Sequence, residues 1–137
     1  MRVVFHHLPK SLDQYFLNFE QSEKSRVFLK RVISTVLKKE KKTDSKIEII
    51  FLSRHQIEKL NFNYRKKEEP TDVLSFGKAD QFPSEGKNYL GELVVCFPCI
   101  KDNAKKFKES LKKELARVLI HGILHLLGYN HQDVSTR

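Results

Sequence analysis

Strand-like and helix-like segments alternate along this 137-residue chain, and its last helical segment is apolar on nearly every side. Those observations predict an α/β or α+β domain in which a small mixed sheet packs on a central, buried helix. The length suits one domain over residues 1–137. Folding such a chain buries roughly two-thirds of its surface, enough for a core without staples.

Residues 3–5 are a short apolar strand candidate. Over residues 25–39 the rows Phe28, Val32, Val36 and Leu29, Ile33, Leu37 repeat at i,i+4 and make one helical face. Lys38, Lys39, Lys41 and Lys42 follow with the positive charge that a helix C-terminus favours. Residues 46–52 are rich in β-branched side chains and read as a strand. Ser53 is expected to cap a short helix running through Phe62, with Ile57 and Leu60 inward. Residues 72–76 and 90–97 are two more strands. Between them, residues 77–89 contain Gly77, Pro83 and Gly86, which predict a hairpin-like loop. The pattern turns helical again over residues 102–127. Ser110 stands where a Lys-rich stretch gives way to an apolar one. It therefore reads as the N-cap of a separate helix over residues 111–127, with one continuous helix as the alternative.

Composition narrows the function classes. At 39% hydrophobic and 31% charged residues, wholesale disorder is not expected. Two cysteines cannot frame a disulfide-rich secreted scaffold. No apolar run approaches the ~20 residues of a membrane span. The opening Met1-Arg2-Val3-Val4-Phe5-His6-His7 lacks the apolar stretch of a signal peptide. The expectation is a soluble, cytoplasmic protein with no membrane role. Twenty-six Lys+Arg against 17 Asp+Glu give a net charge of +9, which by itself favours a polyanionic partner, nucleic acid or a membrane surface; the membrane reading is the weaker, since no basic amphipathic segment shows an exposed aromatic-rich face.

The sharpest feature is His121-Gly122-Ile123-Leu124-His125-Leu126-Leu127-Gly128-Tyr129-Asn130-His131. His121 and His125 are i,i+4, so their imidazoles leave one helix face together. Gly128 stands where the helix should end, and its freedom at positive φ lets the chain turn back and bring His131 toward the other two. Three neutral imidazoles with a fourth position open are the ligand set of a catalytic zinc site, metzincin-like in its spacing. A single histidine on an apolar helix is more often a satisfied core residue. Imidazoles in so apolar a helix cost a few kcal/mol unless paired, and a metal would pair them. The spacing H-x-x-x-H-x-x-G-x-x-H is the metzincin protease pattern with Gly122 in place of the glutamate that serves as general base, so peptidase activity is not expected.

This stretch closely resembles the H-G-x-L-H-L-x-G-Y-D-H signature of the YbeY family, bacterial metal-dependent endoribonucleases of ribosomal RNA maturation. A second match is Leu60-Asn61-x-x-Tyr64-Arg65-x-Lys67-x-x-Pro70-Thr71-Asp72-Val73-Leu74-Ser75-Phe76, and a weaker third is Gly91-Glu92-Leu93-Val94. The resemblance covers residues 46–131 in family order. It implies an α+β fold with a mixed four-stranded sheet, helices around it, and the three-His site at one end of a cleft. It implies one Zn²⁺ or a similar ion on His121, His125 and His131, with Arg65 as the family's functional arginine. The implied activity is single-strand-specific RNA cleavage in 16S rRNA 3′-end maturation and ribosome quality control. In it, metal-bound water attacks the phosphodiester while Arg65 binds the scissile phosphate. Asp72 and Glu92 are base candidates if the fold brings them to the cleft. Implied partners are single-stranded rRNA on the small ribosomal subunit, a small-subunit ribosomal protein and a ribosome-assembly GTPase, with no small-molecule cofactor. A ribosome-assembly factor with a mainly structural zinc and little nuclease activity is the alternative. Two departures stand out: Asn130 replaces the family's aspartate before the third histidine, and the chain runs only six residues past His131.

Other signals read as structural. Cys96-Phe97-Pro98-Cys99 is taken as two packing cysteines at a strand end, because Cys96 continues the apolar run Leu93-Val94-Val95 and Pro98 stops it. A redox C-x-x-C needs its first cysteine at a helix N-terminus. A Cys₂His₂ zinc site with His121 and His125 would need a shorter intervening stretch and would leave His131 without a role. His6, His7 and His55 lack metal spacing. Lys105, Lys106, Lys108, Lys112 and Lys113 are a solvated face that would also suit an RNA backbone.

Overall fold

Alternation of apolar and polar side chains in Lys46–Leu52 buries Ile47, Ile49 and Phe51 and leaves the residues between them half-buried, as a strand at a helix–sheet interface requires. This strand is β2 of a four-stranded sheet in a computed structural model that describes residues 1–16, 24–65, 71–77 and 88–129. The elements are β1 (Arg2–His6), a 3-10 helix (Lys10–Phe16), α1 (Lys24–Lys39), β2, α2 (Arg54–Arg65), β3 (Val73–Gly77), β4 (Tyr89–Cys96), α3 (Phe97–Lys106) and α4 (Leu111–Leu126). The strand order is β1-β2-β4-β3. β1 and β4 both lie parallel to β2, whereas β3 lies antiparallel to β4. The sheet is therefore mixed and the fold α+β, as expected. Among the described residues no helix is long and apolar enough to cross a membrane.

The two sheet faces carry different cores. Ile47, Ile49, Phe51, Leu93 and Val95 pack with the 3-10 helix, α1 and α4. Val94, Cys96 and Leu74 pack with Ile57 of α2 on the other face. Helix α2 is fixed at its start by a capping box. The Ser53 Oγ accepts from the Gln56 N–H at 3.1 Å, and the Gln56 Oε1 accepts from the Ser53 N–H at 2.9 Å. α2 continues three residues beyond Phe62, to Arg65. The start of α1 is held by Asp13, whose carboxylate accepts from the Ser25 N–H at 2.9 Å. The Ser25 side chain, and after it this backbone hydrogen bond, lowers the Asp13 pKa from its usual value.

Two helices, not one, follow β4. Lys108 adopts φ 55° and the Glu109 N–H turns back to the Ala104 carbonyl, which closes α3. Ser110 then caps α4 through the Lys113 N–H at 3.2 Å. The start of α3 corrects the expectation of a helix beginning at residue 102. Cys96 ends β4 and also caps α3, its Sγ accepting from the Cys99 N–H at 3.3 Å. Pro98 stops the strand as anticipated, yet it lies in the first turn of the helix, where a missing N–H leaves nothing unsatisfied.

α4 is also less enclosed than its composition suggests. Leu115, Val118, Leu119, Gly122 and Ile123 form the buried stripe, but Ile120 is 37% exposed. The helix lies against β3 and β4, flanked by α1 and α3, so its outer side has no covering element among the described residues. Of the expected 77–89 loop, Gly77 closes β3 and residue 88 precedes β4, while residues 78–87 lie outside the described residues.

Candidate metal centre

Beyond Lys112 and Lys113 in its first turn, the polar side chains of α4 fall at 114, 117, 121 and 125, steps of three, four and four that place them along one helical stripe. At its C-terminal end the His121 and His125 Nε2 atoms stand 3.0 Å apart. The ring centroids are 4.6 Å apart, with the planes tilted by 41°. A tetrahedral zinc with bonds of about 2.0–2.1 Å separates two nitrogen ligands by roughly 3.3 Å. The pair thus fits as two ligands of one ion with a shift of a few tenths of an ångström. Among the described residues no third His, Cys, Asp or Glu joins them.

The chain's path toward the third histidine of the pattern begins at the helix end. The Tyr129 N–H donates to the Leu124 carbonyl at 3.0 Å and the Gly128 N–H to the His125 carbonyl at 3.1 Å, with Gly128 at φ +105°. This is the Schellman turn that the position of Gly128 predicts. His131 and Asn130 themselves lie outside the described residues.

Gly122 explains why this pattern carries no glutamate beside its first histidine. A Cβ there would stand 2.8 Å from Leu93 Cδ2 and 3.4 Å from Val73 Cγ2. The Gly122 carbonyl accepts from the Ser75 hydroxyl at 3.3 Å. Position 122 is the point at which α4 touches the sheet, so a carboxylate on it would be driven into the core.

The rest of the stripe forms an ionic chain. The Glu114 side chain has 0% exposure and accepts two hydrogen bonds from Arg117, the shorter at 2.7 Å. Arg117 also reaches the Asp72 carboxylate, immediately before β3, at 3.4 Å. Burial pushes the Asp72 carboxyl above its ordinary pKa, while Arg117 pulls it the other way. The paired carboxylates, chiefly Glu114, raise Arg117 still further. Asp72, Arg117 and His121 line a pocket of about 340 Å³ together with Asn103, Lys106 and Phe107. Asp72 is therefore brought beside His121. Glu92 is not: strand pairing sets it opposite Glu48 and Phe76, and alternation sends it to the α2 side of the sheet, across from α4.

Arg65 is the last residue of α2, and its side chain lies outside the described residues. Arg117 and Glu114 were not anticipated as site residues. Their signal is present in the chain: a glutamate seven residues before His121 in an apolar helix needs a buried cation nearby, and Arg117 sits three positions along the same face. His6 is a packing and pairing residue, its Nε2 lying 3.2 Å from Glu48 Oε1.

The sequence model of the family described as Endoribonuclease YbeY matches residues 14–137. The Endoribonuclease YbeY of Buchnera aphidicola subsp. Acyrthosiphon pisum is 39% identical over 120 residues, covering 88% of this chain and 76% of that protein. The Endoribonuclease YbeY of Finegoldia magna is 41% identical over 91 residues, covering 66% of this chain and 59% of that one. Among solved structures, the solution structure of TM1509 from Thermotoga maritima matches with a TM-score of 0.57 and 32% identity, covering 94% of this chain and 74% of the other.

Proposed function

Because the chain belongs to the YbeY endoribonuclease family, we propose that it is a metal-dependent, single-strand-specific endoribonuclease. It acts in 16S rRNA 3′-end maturation and ribosome quality control, as one cytoplasmic domain. The observation that carries the metal dependence is the convergence of two imidazole nitrogens at 3.0 Å, on a helix that ends in a glycine turn three residues before a third histidine. His121, His125 and His131 hold one ion, with Zn²⁺ the best match to three nitrogen ligands. When bound, that ion supplies Lewis acidity at the phosphodiester and a nucleophile at neutral pH.

The chain's own residues do the rest. Arg65 binds the scissile phosphate through its planar, permanently charged fork and stabilises the charge that grows on it. Asp72 and Arg117 hold the near wall of the pocket beside His121. The pairing of Arg117 with both Asp72 and Glu114 fixes the wall that the RNA backbone passes. The net charge of +9 supplies sequence-independent attraction to that backbone. Partners are single-stranded rRNA on the small ribosomal subunit, a small-subunit ribosomal protein and a ribosome-assembly GTPase.

The test is cleavage of single-stranded RNA with and without chelator, beside casein as a peptide substrate, for the wild type, His121→Ala and Arg65→Ala. Cleavage should vanish with chelator and in both variants, return on adding Zn²⁺ to the wild type, and be absent on casein. Variants that fold, keep RNA affinity and still support rRNA maturation would instead establish the assembly-factor reading. Chelator-resistant cleavage by the wild type would remove the metal from the mechanism.

A further inference from the structure

The two cysteines stand where a strand becomes a helix, and they are not equally enclosed. Cys96 is fully buried, whereas Cys99 is 8% exposed and lines a surface pocket of about 370 Å³ with Arg54, Thr71, Asp72, Asp102 and Asn103. Their Cα atoms are 5.3 Å apart and the sulfurs are joined as a disulfide, a separation well inside the range such a bond requires. Cys96 caps α3, and the Cys99 N–H points at its sulfur. A helix N-terminus stabilises negative charge on a sulfur held there. This is the placement that the C-x-x-C spacing alone did not reveal. Nothing in the proposed RNA chemistry uses it.

We infer that Cys96 and Cys99 form a reversible thiol–disulfide site that exchanges with a low-molecular-weight disulfide of the glutathione type, entered through the Cys99 side. The Cys99 thiol loses its proton to solvent and its sulfur attacks one sulfur of glutathione disulfide. That S–S bond breaks, one glutathione leaves as a thiolate and takes up a proton, and a Cys99–glutathione mixed disulfide remains. The Cys96 thiolate then attacks the Cys99 sulfur, forming the internal bond and releasing the second glutathione. The protein gives up two electrons and two protons, and the oxidant becomes two thiols. Reduction runs the same steps backwards, with glutathione attacking at Cys99. The Cys96 N–H donates to the Asp72 carbonyl at 2.9 Å, so the exchange sits one hydrogen bond from the wall of the histidine pocket.

The experiment is a redox titration of the folded chain in buffers of increasing glutathione disulfide, quenched with a thiol-alkylating reagent and read by intact mass. It requires no RNA, so its outcome is independent of the nuclease reading. Wild-type protein should pass in one step from two alkylated cysteines to none, and dithiothreitol should restore both without unfolding, followed by circular dichroism. Cys96→Ser should instead accumulate the mixed disulfide at Cys99. Cys99→Ser should react at Cys96 at least roughly tenfold more slowly, because that sulfur is sealed. Two thiols that persist at high glutathione disulfide would overturn the proposal. So would a disulfide that only denatured protein releases, or equal reaction rates in the two single variants.

Discussion

Gly128→Ala isolates the contribution of one backbone angle to both stability and metal binding. Gly128 sits at φ +105°, and a Cβ placed on it meets nothing within 4 Å, so the substitution adds no collision. Its whole effect is the backbone strain of an L-residue in left-handed space, about 1–2 kcal/mol. For a chain of this size, that corresponds to a fall in Tm of roughly 4–7 °C with an unchanged urea m-value. Gly77 provides the control. It too has open space around its Cβ position, but no positive φ, and Gly77→Ala should stay within about 0.5 kcal/mol of wild type. The turn at Gly128 starts the path to His131. A metal-free variant can relieve its strain by opening that turn, whereas the metal-bound form must keep it. The two losses share one 1–2 kcal/mol: whatever strain the metal-free variant sheds in this way is taken from zinc affinity instead, by up to roughly 30-fold if all of it is shed. Urea denaturation with and without Zn²⁺, and zinc titration by calorimetry, measure both. A Gly128→Ala protein within about 0.3 kcal/mol of wild type, or one no worse than Gly77→Ala, would refute the claim that this angle shapes the site.

Three other perturbations test the surrounding structure. Gly122→Glu restores the protease glutamate to the pattern, yet it should destabilise the fold by more than about 3 kcal/mol, from overpacking plus a buried carboxylate, and yield no casein cleavage. Its Cβ would lie 2.8 Å from Leu93 Cδ2; a stable, caseinolytic variant would contradict the packing. Arg117→Met removes the guanidinium that bridges buried Glu114 to Asp72. It should cost about 2–5 kcal/mol, with part recovered in the Glu114→Gln, Arg117→Met double variant; an additive cycle in chemical denaturation would show that the pair does not act together. Tyr89→Phe removes the 2.6 Å hydrogen bond to Glu48, which, ahead of the His6 contact, lowers the Glu48 pKa. A lowered carboxyl pKa stabilises the fold above the unfolded value and loses that contribution as pH falls through the folded one. The variant should thus be about 1–2 kcal/mol less stable at pH 7. The gap should close at pH values below the folded pKa of Glu48, and a gap that persists there would show that Glu48 ionisation is not involved.

Much of the site was legible because its rules are local. The i,i+4 step from His121 to His125 fixes both imidazoles on one face with their Cβ atoms about 5–6 Å apart, and the side-chain rotamers close their nitrogens to 3.0 Å. Ser110 and Gly128 act within three or four residues of themselves, and both ends of α4 fall where they predict. Strand alternation in residues 46–52 likewise needs no partner to be read.

What the chain did not disclose depends on which distant segments meet. Asp72 reaches Arg117 across 45 positions only because β3 pairs with β4 and α4 crosses both. Glu92, equally acidic and also near a motif, is carried to the opposite side of the sheet by a register set between strands. Cys96 looks like any strand residue until its backbone is seen turning into α3, since a capping sulfur and a buried apolar one have the same sequence environment. Gly122 reads as a missing glutamate in the sequence and as a contact point against Leu93 in the fold. Backbone hydrogen bonding is satisfied within a turn of helix and leaves a periodic trace in the sequence. Burial and charge pairing between elements are settled by topology, here the order β1-β2-β4-β3, and that order decides which groups share the pocket beside His121.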